Sequence, residues 1–310
     1  MSTATQPLAV PRFGIAALAR EYSVLVKARV TTLLILTTWC GAYFAAAKSG
    51  ASSLSWTVFN ALLGIGLVSA GTAAINEVME RDLDARMRRT AMRPLVTKSM
   101  GLVHASVVAF GMTIGGIIYL WLTTNWQTAL LTGLTSASYL LVYTPMKQVH
   151  PICTFLGAFP GAMPPVLGWT AIRGRLDAET LVLFAILFFW QFPHFHSIAW
   201  LYREDYENAR IRMLPVVESD GRSTALAIVM YALALVPVSL APTLMHMSGW
   251  TYFAGALLLG AGMFWFSLRM WTMKLTPSAV ASKARARHVL QASVIYLPLL
   301  FALMMLNRAA

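Results

Sequence analysis

Long apolar runs dominate the chain and alternate with short polar connections. Each run approaches the length of about 20 residues that a helix needs to cross a hydrocarbon core. A water-soluble helix of this length carries a charged face, and most of these runs have none. The pattern therefore predicts an all-α polytopic membrane protein. We predict nine membrane-spanning helices, at residues 30–47, 55–75, 101–122, 127–143, 154–172, 180–200, 223–245, 250–273 and 288–306.

Composition agrees with this pattern. Of the 310 residues, 58% are hydrophobic and 12% are charged, and the mean hydropathy is +0.64. The chain offers no polar stretch long enough for a separate soluble module. We expect residues 1–29 to form an N-terminal arm and residues 30–310 to form a single membrane domain.

The distribution of positive charge predicts how the chain is oriented. With nine spans, 20 of the 24 lysine and arginine residues fall on the side of the N-terminus. The other side receives Lys48, Arg173, Arg175 and Arg308. Basic loops stay on the cytoplasmic side, so we predict a cytoplasmic N-terminus and a periplasmic C-terminus in a bacterial inner membrane, with the mitochondrial inner membrane as the alternative. This topology accounts for the net charge of +12, and no nucleic-acid-binding motif is present.

A polar cluster, NEVMERDLDARMRRT, follows the second apolar run. Asn76, Glu80 and Asp84 are spaced by four residues, so on a helix they form one stripe about 80° wide. Glu77 lies at the edge of this stripe, and Asp82 points to the opposite side. If the second helix continues beyond the apolar run, the stripe directs several oxygen-bearing side chains into one space.

Oxygen ligands on a single face favour Mg²⁺ over Zn²⁺. We therefore predict Mg²⁺ as the cofactor. Arginines near the stripe would meet phosphate charge directly; they are Arg81, Arg86, Arg88, Arg89 and Arg93. The alternative is a solvated helix end, in which the acids pair with these arginines and contribute only tenths of a kcal/mol.

A second polar cluster, WQFPHFHSIAWLYREDYENARIRMLPV, follows the sixth apolar run. Ser197, Leu201 and Asp205 are spaced by four, so on a continuous helix Asp205 occupies the position that Asp84 has below Asn76. Both clusters follow even-numbered spans and lie on the same side of the membrane. Together they would clamp a diphosphate through Mg²⁺, and a site among membrane helices suits a diphosphate with a long apolar tail. That substrate is a polyprenyl diphosphate.

The sixth run also contains Pro193, which is followed by His194 and His196. The proline predicts a kink or an opening of the backbone hydrogen bonds. Histidines at membrane depth indicate a functional site, and the alternative is a hydrogen bond to a neighbouring helix. Between the two clusters, glycines and prolines at 157–168 predict close helix approach or a wide cavity.

At these segments the chain resembles the UbiA superfamily of intramembrane prenyltransferases, and within it the branch that modifies heme, the protoheme IX farnesyltransferases or heme O synthases. The matching strings are NEVMERDLDARMRRTAMRPL at 76–95, YTPMK at 143–147, GAMPPVLGW at 161–169, WQFPHF at 190–195, REDY at 203–206 and MLPV at 213–216. The resemblance implies helices arranged around a central cavity. It also implies transfer of a farnesyl group from farnesyl diphosphate to a vinyl group of heme b, with addition of water, which gives heme O for heme-copper terminal oxidases.

The resemblance also implies roles for individual residues. The catalytic and Mg²⁺-binding set would be Asn76, Glu80, Asp84 and Asp205. The diphosphate-binding set would be Lys27, Arg81, Arg93, Lys147 and Arg203. His194 or His196 would meet the heme iron or a propionate. Besides farnesyl diphosphate, heme b and the lipid bilayer, the resemblance points to heme A synthase or oxidase assembly factors as partners.

Three other functions are compatible with parts of the pattern. A sibling prenyltransferase would act on a quinone or chlorin precursor, but further aspartates expected in the second cluster are absent. A secondary transporter also uses glycine, proline and buried polar groups, although its charged site would lie near the bilayer midplane. The third is a non-catalytic assembly factor for a heme-copper oxidase, which an assay of prenyl transfer would distinguish.

Overall fold

The computed structural model describes residues 14–272, 277 and 279–309. Within this part of the chain the secondary structure is helical, and the only β-type pairing is an isolated bridge between Ser248 and Arg308. The helices are α1 Ile15–Leu25, α2 Ala28–Lys48, α3 Trp56–Asp84, α4 Pro94–Thr97, α5 Leu102–Thr123, α6 Trp126–Ser138, a π-helical turn Tyr139–Tyr143, α7 Thr144–Met146, α8 Cys153–Ala162, α9 Pro164–Arg173, α10 Ala178–Leu201, α11 Arg203–Asn208, α12 Leu214–Val217, α13 Arg222–Leu244, α14 Trp250–Trp271 and α15 Val280–Leu306. The predicted all-α fold is confirmed.

Eight helical segments in the described residues are long and apolar enough to cross a membrane. They are α2, α3, α5, α8 together with α9, α10, α13, α14 and α15. The remaining predicted span, 127–143, falls on α6 and the π-helical turn, so its regular α-helix ends at Ser138. Each predicted span thus lies on a helical segment, but the fourth is shorter and irregular.

Helix α3 is longer than its apolar run. The run predicts an end at residue 75, whereas the helix continues to Asp84. Its last turns contain Glu, Met, Arg and Leu, which all have high helix propensity. Asn76 and Asp84 are 0% and 1% exposed, because neighbouring segments cover this end of the helix. The helix therefore continues beyond the apolar run and carries the polar stripe, as the sequence analysis requires for a shared site.

The glycine- and proline-rich segment forms two helices that meet at Met163. Helix α8 ends at Ala162 and α9 begins at Pro164. Helix α9 packs closely on α2: a Cβ at Gly168 would lie 1.9 Å from the carbonyl oxygen of Thr38. The predicted close approach of helices is confirmed at this contact, and any side chain there would separate α2 from α9.

The bundle has two polar ends. The stripe end is the end that holds Asn76, Glu80 and Asp84, and the far end holds Lys48 at the C-terminus of α2 and Glu179 in the first turn of α10. At the stripe end, connecting segments from separate parts of the chain meet: the Arg212 backbone N–H donates to the Lys147 carbonyl oxygen at 2.7 Å. Tertiary packing therefore brings the polar connections together, as the even-numbered spans predict.

Part of the predicted N-terminal arm packs on the bundle. Helix α1 contacts α2, α3 and α4, and Leu25 is fully buried. Ser99 Oγ donates to Glu21 Oε2 at 2.5 Å. Residues 1–13, which include Arg12, lie outside the described residues, as does Lys274. The division into an arm at 1–29 and a domain at 30–310 stays a prediction.

Candidate active site

Asn76 is held between a lysine and a threonine from distant parts of the chain. Lys27 Nζ donates to Asn76 Oδ1 at 2.7 Å, and Asn76 Nδ2 donates to Thr144 Oγ1 at 3.1 Å. Lys27 lies between α1 and α2 with a left-handed backbone, φ 47°. Burial lowers the pKa of Lys27 below its ordinary value of 10.5, and the charges of Arg93 and Lys147 lower it further. Three cations of the stripe end are therefore close enough to influence one another.

Glu80 forms a buried ion pair with Lys147. Lys147 Nζ donates to Glu80 Oε1 at 2.7 Å, and the side chains are 11% and 9% exposed, respectively. The ammonium also lies 4.6 Å from the centroid of the Tyr143 ring. Tyr143 and Lys147 belong to the irregular segment after α6, where the π-helical turn and α7 direct both side chains toward α3. The buried pair resists screening by salt far more than a surface pair does.

Asp84 shares an arginine with Glu77. Arg93, at the N-terminus of α4, donates from Nη1 to Asp84 Oδ2 at 2.5 Å, and its Nε lies 3.9 Å from Glu77 Oε2. Glu77 is fully buried. Neither of its carboxylate oxygens makes a well-formed hydrogen bond among the described residues, although the Leu95 backbone N–H lies near. The stripe end thus contains a carboxylate that could still accept a cation or a donor.

The donor set of the stripe fits Mg²⁺ by its chemistry. It offers an amide oxygen and two carboxylates along one face of α3, with Glu77 at the edge, and Mg²⁺ prefers oxygen ligands. In this structure one oxygen of each of Asn76, Glu80 and Asp84 accepts a hydrogen bond from a cation, and no three His, Cys, Asp or Glu side chains in the described residues form a ready metal site. Metal binding through these three oxygens would therefore require the ammonium and guanidinium groups to release them.

One prediction about the second cluster is wrong. Helix α10 ends at Leu201, and Tyr202 has φ −107° and ψ 24° before α11 begins at Arg203. Because the helix is interrupted, Asp205 does not continue the stripe that starts at Ser197. Asp205 instead lines an open cleft of about 410 Å³ whose other lining residues are Arg88, Arg89, Leu201, Tyr202 and Glu204.

Arg89 connects the two clusters directly. Its Nη2 donates to Tyr206 Oη at 3.3 Å, and its guanidinium lies 5.2 Å from the centroid of the Tyr202 ring. Below this contact, Met87 packs with Tyr206 and Ala199 in a small hydrophobic cluster. The two polar clusters are therefore in contact through the segment after Asp84, and their sharing of one site stays a prediction.

The predicted diphosphate-binding residues divide into two groups. Lys27, Arg93 and Lys147 contact the stripe, whereas Arg81 is exposed and pairs with the exposed Asp82 at 3.4 Å. Arg203 is partly buried at the start of α11. The structure thus brings three of the five cations to the stripe, and Arg81 is not among them.

Both predicted heme-binding histidines make hydrogen bonds within the bundle. His194 Nδ1 lies 2.9 Å from Ser293 Oγ on α15, and its ring stacks on Trp190. His196 Nδ1 lies 2.8 Å from the Phe192 carbonyl oxygen of the same helix. Helix α10 is continuous through Pro193. These hydrogen bonds involve one ring nitrogen of each histidine, and heme binding by either residue stays a prediction.

Thr144 and Glu77 belong to the site but are absent from the predicted set. Thr144 precedes Lys147 by three residues in YTPMK, a string that the resemblance already singles out, so its contact with Asn76 follows from the same turn of helix. Glu77 lies next to Asn76 in sequence, and the predicted stripe has it at its edge. Its lack of good hydrogen bonds depends on how α4 packs, which no local pattern indicates.

The chain matches the model of the UbiA prenyltransferase family over residues 33–293. It belongs to this family. Two relatives named protoheme IX farnesyltransferase are similar over nearly all of this UbiA-family chain. The one from Koribacter versatilis is 67% identical over 308 residues, with 99% of each chain covered. The one from Solibacter usitatus is 46% identical over 301 residues, with 93% of this chain and 99% of the relative covered.

Solved structures of UbiA proteins share the fold. A structure described as digeranylgeranylglyceryl phosphate synthase superposes with a TM-score of 0.73 at 16% identity, over 93% of this chain and 98% of that one. A UbiA homolog from Archaeoglobus fulgidus bound to GPP and Mg²⁺ gives a TM-score of 0.60 at 15% identity, over 92% and 99%. These likenesses establish the UbiA fold for the described bundle.

Proposed function

We propose that this protein transfers the farnesyl group of farnesyl diphosphate to a vinyl group of heme b, with addition of water, in a Mg²⁺-dependent reaction at the stripe end. The observation that supports this most is the row of Asn76, Glu80 and Asp84, each paired with a cation from a different segment. The names of the relatives at 67% and 46% identity support farnesyl transfer to protoheme. The homolog bound to GPP and Mg²⁺ supports the metal requirement.

The geometry suggests how the substrate would bind. Without substrate, Glu80 pairs with Lys147 and Asp84 pairs with Arg93 in a largely buried site, while Lys27 donates to the amide oxygen of Asn76. The oxygens of Asn76, Glu80 and Asp84 would hold Mg²⁺, which would supply positive charge to the leaving diphosphate. The ammonium and guanidinium groups released from these oxygens would donate to the diphosphate oxygens. The metal would take the place of the cations at the stripe oxygens, and the diphosphate would take the place of these oxygens at the cations. Binding of the metal and binding of the diphosphate should therefore be cooperative.

The reaction can be written with all atoms in balance. The bond between farnesyl C1 and the diphosphate oxygen breaks, and its electron pair leaves with the diphosphate. The terminal carbon of the vinyl group forms a bond to C1, which leaves a cation on the inner vinyl carbon. A water oxygen attacks that carbon and loses a proton, which gives a hydroxyethylfarnesyl side chain. The contribution of this chain is to hold diphosphate where its charge develops, and electrostatic stabilisation of that kind is often the largest catalytic effect.

The protein is a multi-pass protein of the inner membrane. We propose that the stripe end faces the cytoplasm, since it carries most of the basic residues. The C-terminus then lies on the periplasmic side. Asp205 and Arg203 are proposed to act from α11 as the second half of the diphosphate site. The protein partners suggested by the resemblance, heme A synthase and oxidase assembly factors, stay predictions.

The test is a transfer assay with purified protein in detergent. Heme b, farnesyl diphosphate and Mg²⁺ are incubated with and without a chelator, and the porphyrin is followed by mass spectrometry. The expected product gains one farnesyl group and one water, and only when free Mg²⁺ is present. Unmodified heme, together with prenylation of a quinone precursor, would move the protein to the sibling branch of the family.

A further inference from the structure

The open cleft beside the site carries two arginines that the proposed diphosphate clamp does not use. Its lining includes Arg88 and Arg89, which follow the stripe in sequence, and Tyr202, Glu204 and Asp205 from the second cluster. Both arginines are exposed. Lys27, Arg93 and Lys147, by contrast, contact the buried stripe itself. The cleft therefore carries positive charge at the aqueous margin of the site.

The two arginines of the cleft are positioned differently. Tyr206 Oη accepts from Arg89 at 3.3 Å, and the rings of Tyr202 and Tyr206 lie 5.2 and 5.9 Å from its guanidinium. Such contacts hold the guanidinium in place while its remaining N–H groups stay free to donate. No contact of this kind fixes Arg88 in the described residues. The cleft thus pairs one preoriented guanidinium with one adaptable neighbour.

The acidic residues of the cleft leave this positive charge available. Lys283 Nζ donates to Glu204 Oε1 at 2.9 Å, so the charge of Glu204 is offset by an ion pair. Asp205 belongs to the proposed diphosphate site, where Mg²⁺ would offset its charge. An anion bound in the cleft would therefore meet the positive charges of Arg88 and Arg89, while the charge of Glu204 is neutralised by Lys283.

We infer that Arg88 and Arg89 bind the two propionate groups of the heme substrate. This inference rests on the proposed function and extends it to the acceptor. Heme b carries two carboxylates on one edge of an otherwise apolar ring, and two guanidinium groups side by side match such a dicarboxylate edge. The exposed position suits carboxylates that keep part of their hydration while the ring enters the membrane domain. The vinyl groups lie on other edges of the ring, so anchoring the propionates directs the vinyl side inward.

Esterified heme provides the discriminating probe. In heme b dimethyl ester the propionates carry no charge, while the vinyl groups and the ring are unchanged. We would measure KM for heme b, for its dimethyl ester and for farnesyl diphosphate in the wild type, in Arg88→Gln, in Arg89→Gln and in the double variant. Arg212→Gln, an exposed arginine at the same end that does not line the cleft, serves as the matched control. Thermal unfolding of each variant checks that it is folded.

The expected result is a KM for heme b that rises about tenfold per arginine, consistent with loss of a charged hydrogen bond, with no change for the ester or for farnesyl diphosphate. Equal losses with heme b and its ester, or a higher KM for farnesyl diphosphate, would overturn the inference. If the wild type farnesylates no porphyrin, the proposed function fails. In that case, heme titration followed by absorbance still tests the cleft: equal affinity of wild type and double variant would refute it.

Discussion

The two polar ends of the bundle contain the same kinds of charged pair in different surroundings. At the far end, Lys48 pairs with Glu179, and Asp177 accepts from Arg173 and Arg175 at 3.0 Å. Two of the basic side chains there are well exposed, Arg175 at 65% and Lys48 at 42%. At the stripe end, by contrast, the basic side chains of Lys147 and Arg93 are 11% and 18% exposed.

The difference also concerns the origin of the partners. At the far end, Arg173, Arg175 and Asp177 lie close together in sequence between the end of α9 and the start of α10, and only the pair of Lys48 and Glu179 joins distant helices. The partners of the stripe come from the segment before α2, from α7 and from the start of α4. Holding buried charges in place from three separate segments costs desolvation that a purely structural design avoids. We take this cost as a sign that the stripe end is kept for binding.

The largest effect should follow from breaking one buried pair. In Glu80→Gln the Lys147 ammonium stays buried without its carboxylate, and we expect the free energy of unfolding to fall by about 3–5 kcal/mol. In Glu179→Gln the partly exposed Lys48 is hydrated instead, and the loss should stay below about 1 kcal/mol. Unfolding of both variants in the same detergent measures the contrast. Equal losses at the two ends would remove the distinction between them.

A second comparison concerns activity. Asp84→Ala removes a proposed Mg²⁺ ligand and should lower the rate of farnesyl transfer by about 10²–10³-fold, the scale of losing one electrostatic contact to a developing charge. Asp177→Asn at the far end should leave the rate unchanged. Steady-state rates at saturating Mg²⁺ and at limiting Mg²⁺ measure both variants. An Asp84→Ala protein that is folded and fully active would exclude the stripe as the reaction site.

Substitution of Glu77 at the stripe end and of Asp177 at the far end should change the stability of the protein in opposite directions. Glu77→Gln removes a buried charge that lacks good hydrogen bonds, so we expect an increase of about 1–3 kcal/mol in stability, accompanied by weaker Mg²⁺-dependent activity. Asp177→Asn removes a well-satisfied acceptor of Trp169, Arg173 and Arg175 and should lower stability. Thermal unfolding of both variants decides this. A clear loss of stability in Glu77→Gln would show that its charge is needed to hold Arg93.

The smallest predicted effect is a dependence on pH through Lys27. In the proposed site, diphosphate binding would require the ammonium form of Lys27, and burial lowers the pKa of this residue. The lysine therefore loses its proton at a lower pH than an exposed lysine does, and affinity for farnesyl diphosphate should fall as the pH rises through that pKa. A profile of kcat/KM against pH should show an alkaline decrease of about tenfold per pH unit.

The matched substitution for this test is Lys27→Arg. A guanidinium keeps its charge throughout the accessible range, so the alkaline decrease should disappear in this variant. Lys48→Arg at the far end should leave the profile unchanged. A decrease that persists in Lys27→Arg would assign the titration to another group.

Several features of this protein follow from the sequence alone. The positions of the membrane helices, the stripe of Asn76, Glu80 and Asp84 and the outward direction of Asp82 follow from local periodicity, since hydrophobic length and helical geometry depend on neighbouring residues. The strings that resemble the UbiA superfamily predict the family that the comparisons confirm. Local pattern was misleading at Asp205, where the continuous helix it assumes is interrupted at Tyr202.

Only the tertiary structure decides which groups face the stripe. Lys27, Arg93 and Lys147 lie 49, 9 and 67 residues from their partners, and similar cations at Arg81 and Arg86 remain exposed. The sequence predicts Arg81 as a diphosphate-binding residue alongside Lys27, Arg93 and Lys147, because the true choice depends on how α4, α7 and the segment before α2 pack around α3. The same packing leaves Glu77 buried without good hydrogen bonds and joins Arg89 to the tyrosines of the second cluster. Long-range packing sets these contacts, and periodicity along a single helix carries no information about them.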